Sequence, residues 1–104
     1  MGIDVAWVTE SGEPKQEVFD PRQCLARLVT TRWPELGHTK CLRFVDPWGD
    51  ATFNQGQVPF LLEELRAELF EVREPEAKAH LEKVIRLVER AIDRTHTYIK
   101  FTGD

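Results

Sequence analysis

The stretch that decides the fold is residues 58–92, VPFLLEELRAELFEVREPEAKAHLEKVIRLVERAI. Apolar residues recur through both of its halves at alternating spacings of four and three, which is the period of one helix face. Pro75 suits the first turn of a second helix, because its missing N–H needs no partner there. We therefore predict an antiparallel αα-hairpin connected around residues 73–76. The first stripe is Val58, Leu62, Leu65, Leu69 and Val72, widened by Leu61 and Phe70; the second is Ala77, Leu81, Val84, Val88 and Ala91, with Ile85 and Ile92.

Segments in which apolar and polar residues alternate predict strands near both ends of the sequence. Residues 3–9 place Ile3, Val5 and Trp7 on one face, and a turn cluster at residues 11–14 leads to a second short strand at 16–19. Residues 97–101 alternate again, and a strand at this position needs a sheet to join. Between them, residues 41–45 predict a third strand, and residues 52–53 a possible short fourth.

A helix is predicted after the opening hairpin. Asp20 can cap it, Pro21 suits its first position and Gln23 completes a capping-box spacing. Thr30 and Thr31 end this helix, because the residue before Pro34 avoids the α region, and residues 34–40 form a loop. The order β-β-α-β-(β)-α-α-β predicts an α+β fold, with a mainly antiparallel sheet and the long αα-hairpin packed on one face. We expect one domain spanning residues 1–104.

Composition restricts the class of protein. The chain has 104 residues, 41% hydrophobic content and a net charge of −4. An acidic domain lacks the basic face that nucleic acid requires, so we expect no nucleic-acid partner, whereas a basic protein partner is compatible. Neither a secretory signal nor an apolar run near the ~20 residues of a membrane span is present, so we expect no membrane partner and a cytoplasmic location. Cys24 and Cys41 are predicted to be reduced, mostly buried thiols.

The segment FVDPWGDATFNQGQ, residues 44–57, concentrates the candidate site residues. Asp46, Asp50 and Asn54 recur at four-residue intervals and offer the oxygen ligands that Ca²⁺ and Mg²⁺ prefer, although the spacing differs from that of a calcium-binding loop. The same residues are also typical of a turn, in which Asp46 ends a strand and Asn54 begins a helix. Both interpretations stay open.

Trp48 has two alternative placements. At the tip of a turn it would be an exposed indole, the type of side chain that is enriched in binding hot spots. Folded back, it would cover the core beside the helical hairpin. The sequence does not choose between them.

Catalytic and cofactor signatures are weak. The histidines and cysteines lack the paired spacings of zinc sites, and the glycines are scattered, without a phosphate-binding loop. Cys24 lies near a helix start with no histidine or acid nearby in sequence, and His80 is predicted to be solvated. We predict no catalytic residue, no metal ligand and no cofactor.

Two segments resemble a family of small bacterial proteins that has no established activity. They are DPWGDATFN at residues 46–54, followed by a leucine-rich helix, and HTYIKFTGD at residues 96–104. The resemblance implies only a small bacterial cytosolic domain. Both segments contain Gly-Asp, and an antiparallel sheet could bring Asp104 near Asp46 or Asp50.

The leading hypothesis is a non-enzymatic protein-interaction module, immunity-like or adaptor-like, with an unidentified protein partner. Its surface would comprise Trp48, Asp50, Asp46, Asn54 and Asp104. The alternative is a divalent-cation site made by Asp46, Asp50 and Asp104 in a small hydrolase or a metal-sensing domain. A homodimer through the amphipathic hairpin is also possible.

Overall fold

The computed structural model describes residues 2–103 and shows an α+β architecture, which confirms the predicted fold class. The strands of this part of the chain are β1 (Asp4–Thr9), β2 (Pro14–Val18), β3 (Asp50–Phe53) and β4 (Thr97–Thr102). Its α-helices are α1 (Cys24–Thr31), α2 (Trp33–Leu36), α3 (Val58–Glu71) and α4 (Pro75–Ala91). None of the helices described combines the length and the apolar composition needed to cross a membrane.

The four strands form one antiparallel sheet in the order β2-β1-β4-β3. The C-terminal strand β4 is therefore internal, with β1 on one side and β3 on the other. Phe101 lies opposite Val5 in β1, and Ile99 lies opposite both Trp7 in β1 and Phe53 in β3. These side chains are buried, and the rings of Phe53 and Phe101 meet edge to face at a centroid distance of 5.7 Å. The predicted inward face of β1 is confirmed.

Helix α4 contacts β1, β2 and β4, and it is flanked by α1 and α3. Because α4 has neighbours on three sides, its apolar stripe is almost completely buried. Burying one such aliphatic side chain contributes about 1.5–3 kcal/mol. The α4 residues in the core are Leu81, Val84, Ile85, Leu87, Val88 and Ala91.

The predicted αα-hairpin is confirmed, because α3 and α4 pack together. The prediction that Phe70 belongs to the apolar face of α3 is wrong. Phe70 is 88% exposed, whereas Leu61 and Leu65 are fully buried. At about 100° per residue, Phe70 points about 140° away from Leu65, beyond the face that packs in the core.

The predicted strand at residues 41–45 is wrong. A 3₁₀ helix, Leu42–Phe44, occupies most of it. The carboxylate of Glu64 in α3 accepts hydrogen bonds from the backbone N–H groups of Lys40, Cys41 and Leu42, at 2.6, 3.0 and 3.0 Å. These donors are therefore not available to a sheet, and β3 supplies the edge strand instead.

The start of α1 also differs from the prediction. The helix begins at Cys24, and Gln23 precedes it in the left-handed region with φ 59°. Pro21 lies in the turn before the helix, but the Asp20 carboxylate still accepts the N–H groups of Leu25 and Ala26, at 3.3 and 3.1 Å. Asp20 therefore caps the helix from outside it.

The predicted end of α1 at Thr31 is confirmed. The residues after it are not all loop, because α2 places Trp33 and Pro34 in the first turn of a short helix. Proline is tolerated there since the first N–H groups of a helix have no intrahelical partner.

Candidate functional site

The turn at residues 46–50 joins the 3₁₀ segment to β3. Oδ1 of Asp46 accepts the backbone N–H of Trp48 at 2.8 Å, and the carbonyl oxygen of Asp46 accepts the N–H of Gly49 at 3.3 Å. This is an Asx-type turn, in which the side chain replaces a backbone acceptor. The turn holds Trp48 at its tip.

The end of β4 packs directly on this turn. The N–H of Gly103 donates to the carbonyl oxygen of Gly49 at 2.8 Å, and Asp50 pairs with Thr102 in the sheet register. A Cβ atom at position 103 would lie only 2.4 Å from the carbonyl oxygen of Asp46. Two segments, residues 46–54 and 96–103, therefore meet in space. Asp104 lies outside the described residues.

Asp50 and Asn54 have separate local roles. Asp50 Oδ2 lies 3.7 Å from Lys100 Nζ, so its charge is partly compensated. Asn54 Oδ1 accepts the N–H of Gln57 at 3.1 Å, while Gln57 Oε1 accepts the N–H of Asn54 at 2.9 Å. This reciprocal pair leads into α3 as predicted, although the helix itself begins at Val58. The length of β3, about 13 Å, separates Asn54 from the turn.

Trp48 projects into solvent and is 77% exposed. Together with Thr30, Trp33, Asp46 and Pro47 it lines an open cavity of about 450 Å³, which we call the tryptophan cleft. Of the two placements that the sequence left open, the structure shows the exposed indole. The second indole of the cleft, Trp33, is 53% exposed.

Trp33 is the site residue that sequence reasoning missed. Trp33-Pro34 indicated only the end of a helix, and nothing in the sequence placed it beside Trp48. In the fold, the preceding Arg32 anchors it: Arg32 Nε donates to Glu68 Oε1 at 2.8 Å, and Nη2 donates to Oε2 at 3.3 Å. This bond raises the pKa of Arg32, and Glu68 is buried with only 7% exposure. The ion pair fixes the start of α2 against α3.

A second cleft, of about 580 Å³, contains another group of chemically active side chains. Cys24 and Glu76 line it with Asp20 and His80. The Cys24 thiol donates to Glu76 Oε1 at 3.7 Å, and both burial and the negative charge of Glu76 raise its pKa. A raised pKa disfavours the thiolate, which is the nucleophilic form. This arrangement therefore does not favour cysteine catalysis.

The prediction that His80 is solvated is wrong. Its side chain is only 12% exposed, and its Nε2 lies 3.6 Å from Asp20 Oδ1. Asp20 is itself buried and accepts the N–H of Ile3 at 3.0 Å in addition to its bonds to α1. This pair lies where β1, α1 and α4 meet. The carboxylate of Asp20 accepts hydrogen bonds from backbone N–H groups there.

The divalent-cation hypothesis stays a prediction. Among residues 2–103, no group of three or more histidine, cysteine, aspartate or glutamate side chains is arranged to hold a metal ion. Asp46 and Asp50 lie in one turn, but the third proposed ligand, Asp104, is outside this range. One oxygen of Asp46 already accepts the Trp48 N–H.

Comparisons with protein-family models, with curated proteins and with solved structures found no match for this chain.

Proposed function

We propose that the protein is a non-enzymatic interaction module, immunity-like or adaptor-like, that binds a protein partner through the tryptophan cleft. The observation that carries this proposal is the presence of two largely exposed indoles, Trp33 and Trp48, in the wall of one cavity. Tryptophan is among the residues most enriched in binding hot spots, because it buries a large apolar area and retains one polar N–H.

Contacts within the chain hold the frame behind the cleft. Trp48 sits on a turn held by the Asp46 side chain and by Gly103, and Trp33 follows the Arg32–Glu68 ion pair. A site that is ordered in advance loses less conformational entropy on binding. Single exposed apolar residues need no explanation, whereas two adjoining tryptophans on a rigid frame are typical of a recognition surface.

The remaining predicted surface residues fall into two groups. Asp46 lines the cleft and Asp50 is in the same turn, so both can contact a bound partner. Asn54 lies at the far end of β3, and in our proposal it has a structural role. The assignment of Asp104 to the surface stays a prediction.

Quantitative affinity capture tests the proposal. The tagged wild-type chain and the variants Trp48→Ala and Trp33→Ala are exposed to the same host lysate, and bound proteins are compared by mass spectrometry. Phe70→Ala is the matched control, since Phe70 is an even more exposed aromatic, at 88%, and does not line the cleft. We expect a partner that Phe70→Ala retains and that both tryptophan variants lose.

Purified components must then reproduce the result. The captured protein should bind the wild type with a Kd at least about tenfold lower than for Trp48→Ala, the effect of losing a contact worth about 1.4 kcal/mol. Identical captured proteins for the wild type and both tryptophan variants would count decisively against the cleft as the binding surface.

A homodimer is a separate prediction. The outer side of α3 carries Phe60 and Phe70, which are 44% and 88% exposed. Light scattering measures the molar mass of the wild type and of Phe70→Ala in solution. If this helix forms a dimer, the variant should be a monomer. A monomeric wild type would show that the dimer prediction is wrong.

A further inference from the structure

We infer that the tryptophan cleft receives an arginine side chain of the partner protein. This inference rests on the proposed function and specifies the chemistry of its site. The cavity is walled by the two indoles, Pro47 and Thr30, and the ionisable group in its lining is the carboxylate of Asp46. An apolar, aromatic wall with one negative charge is complementary to a cation that carries a flat, weakly hydrated face.

The charge of Asp46 is available for a ligand. Oδ1 accepts the Trp48 N–H at 2.8 Å, and Oδ2 has neither a hydrogen bond nor an ion pair within residues 2–103. The neighbouring Asp50 differs, since Lys100 Nζ lies 3.7 Å from it. Asp46 is therefore the acid of this turn whose charge is not compensated.

Arg27 and Arg32 do not compete for the cleft. Arg27 lines an adjoining cavity that shares Thr30, Pro47 and Trp48 with it. Its Nη2, however, lies 3.9 Å from the carboxylate of Glu74 and 3.9 Å from the sulfur of Cys24. Arg32 is held by Glu68. Arg27 and Arg32 therefore already have acidic partners.

Arginine fits this site better than lysine. A guanidinium is planar, stacks on an indole face and can donate two parallel N–H groups to a carboxylate. An ammonium is a compact, strongly hydrated charge and would have to lose more water to enter between two indoles. Cation–π contact is strongest with tryptophan, and contributes about 0.5–1 kcal/mol at exposed sites.

A peptide titration monitored by NMR tests this inference. The probe is a capped peptide with one central arginine between glycines and serines. It is matched by peptides with citrulline, which is uncharged and nearly isosteric, and with lysine. The chain has three tryptophans, and their indole N–H signals are assigned with single Trp→Phe variants. We expect the signals of Trp33 and Trp48 to shift to saturation with the arginine peptide, and that of buried Trp7 to stay.

Asp46→Asn isolates the charge. An asparagine oxygen can still accept the Trp48 N–H and so preserve the turn, while the negative charge is removed. We expect about fivefold weaker binding of the arginine peptide, the scale of a partly exposed ion pair. Asp93→Asn, at an exposed position after α4 that does not line the cleft, is the control and should change binding less than twofold. The lysine peptide should bind at least threefold more weakly, and the citrulline peptide should not saturate.

Several results would overturn the inference. Citrulline or lysine peptides that bind as tightly as the arginine peptide would do so, as would equal effects of Asp46→Asn and the control Asp93→Asn. The proposed function fails on different grounds. Suppose that capture of a partner requires Trp48 but is neither reduced by Asp46→Asn nor prevented by the arginine peptide. The proposed interaction module is then supported, and arginine recognition is wrong. If capture never depends on Trp48, the interaction module itself is wrong.

Discussion

The backbone N–H of Gly103 donates a hydrogen bond to the carbonyl oxygen of Gly49 at 2.8 Å, so the last residues of the sheet support the turn that presents Trp48. This contact continues the pairing of Asp50 with Thr102 beyond the end of β4. It connects the stability of the C-terminal strand to the geometry of the tryptophan cleft. Changes at either segment should therefore affect both the fold and the site.

Gly103→Ala tests this connection. The added Cβ would lie 2.4 Å from the carbonyl oxygen of Asp46 and 2.5 Å from that of Pro47, and backbone atoms cannot move aside without disturbing the turn. We expect a loss of about 1–3 kcal/mol in the free energy of unfolding. Urea denaturation measures it, and shifts of the Trp48 indole signal report the turn.

Gly37→Ala is the control for Gly103→Ala. Gly37 has an ordinary helical φ of −59°, and its nearest contact would be at 3.5 Å. We expect a change within about 0.5 kcal/mol, as for most surface substitutions. Equal losses for the two glycine variants would mean that the Gly103 contact does not support the turn.

Glu64→Ala should release the segment that leads into the turn. The carboxylate accepts three consecutive N–H groups, from Lys40 to Leu42, and its removal leaves those in the protein interior without an acceptor. We expect a loss of about 2 kcal/mol. Amide hydrogen exchange should accelerate at residues 40–42, while Glu63→Ala, at an exposed neighbouring position, should leave it unchanged. Unchanged exchange in Glu64→Ala would contradict the role of this carboxylate.

Asp20→Ala should be the most damaging of these substitutions. The buried carboxylate accepts the N–H groups of Ile3, Leu25 and Ala26, which belong to the opening strand region and to the first turn of α1. Because buried donors without partners are costly, we expect a loss of about 3 kcal/mol or more in urea denaturation. Asp20→Asn retains one acceptor oxygen and should lose clearly less. If the two variants are equally unstable, the charge of Asp20, not its acceptor geometry, is what matters.

His80 should make stability depend on pH. Burial lowers its pKa, and this effect outweighs the opposing attraction of Asp20 and Asp4; Lys83 lowers it further. The unfolded chain therefore binds a proton near the ordinary pKa of about 6.5 while the folded chain does not. The contribution of His80 to stability is complete above that pH and declines as the pH falls from about 6.5 towards the lower folded pKa.

The measurement for His80 is the free energy of unfolding at pH 7.5 and at pH 5.5. The wild type should lose more stability between these values than His80→Gln, which has no ring to protonate. Carboxylates that also titrate contribute to both proteins, so the difference between the two losses isolates His80. A variant with the same loss as the wild type would contradict the predicted direction.

Thermal melts with Mg²⁺, Ca²⁺ and Mn²⁺ separate the interaction module from the divalent-cation alternative. The module predicts no change in Tm, because the carboxylates of the turn act on a partner protein. A native cation site predicts stabilisation by roughly 2.7 kcal/mol at a metal concentration of 100 Kd. A rise in Tm that disappears in Asp46→Asn would establish the alternative.

The sequence by itself determined those features that depend on local periodicity and local hydrogen bonding. The helices α3 and α4 and the alternation of β1 and β4 are confirmed, and Asn54 lies just before α3, where its side chain accepts the Gln57 N–H. Each depends on residues within a few positions of one another, so the pattern and the structure obey the same short-range geometry.

Only the tertiary structure decided the rest, because distant residues compete for the same backbone groups and surfaces. Glu64 takes the N–H groups of residues 40–42, so the apolar segment at 41–45 forms a 3₁₀ helix and not a strand. The tryptophan cleft also depends on tertiary contacts. Trp33 and Trp48 are fifteen positions apart in sequence and line one cavity. They do so because α2 is held against α3 and because Gly103 supports the turn that carries Trp48. Local patterns carry no information about such encounters, which folding of the whole chain creates.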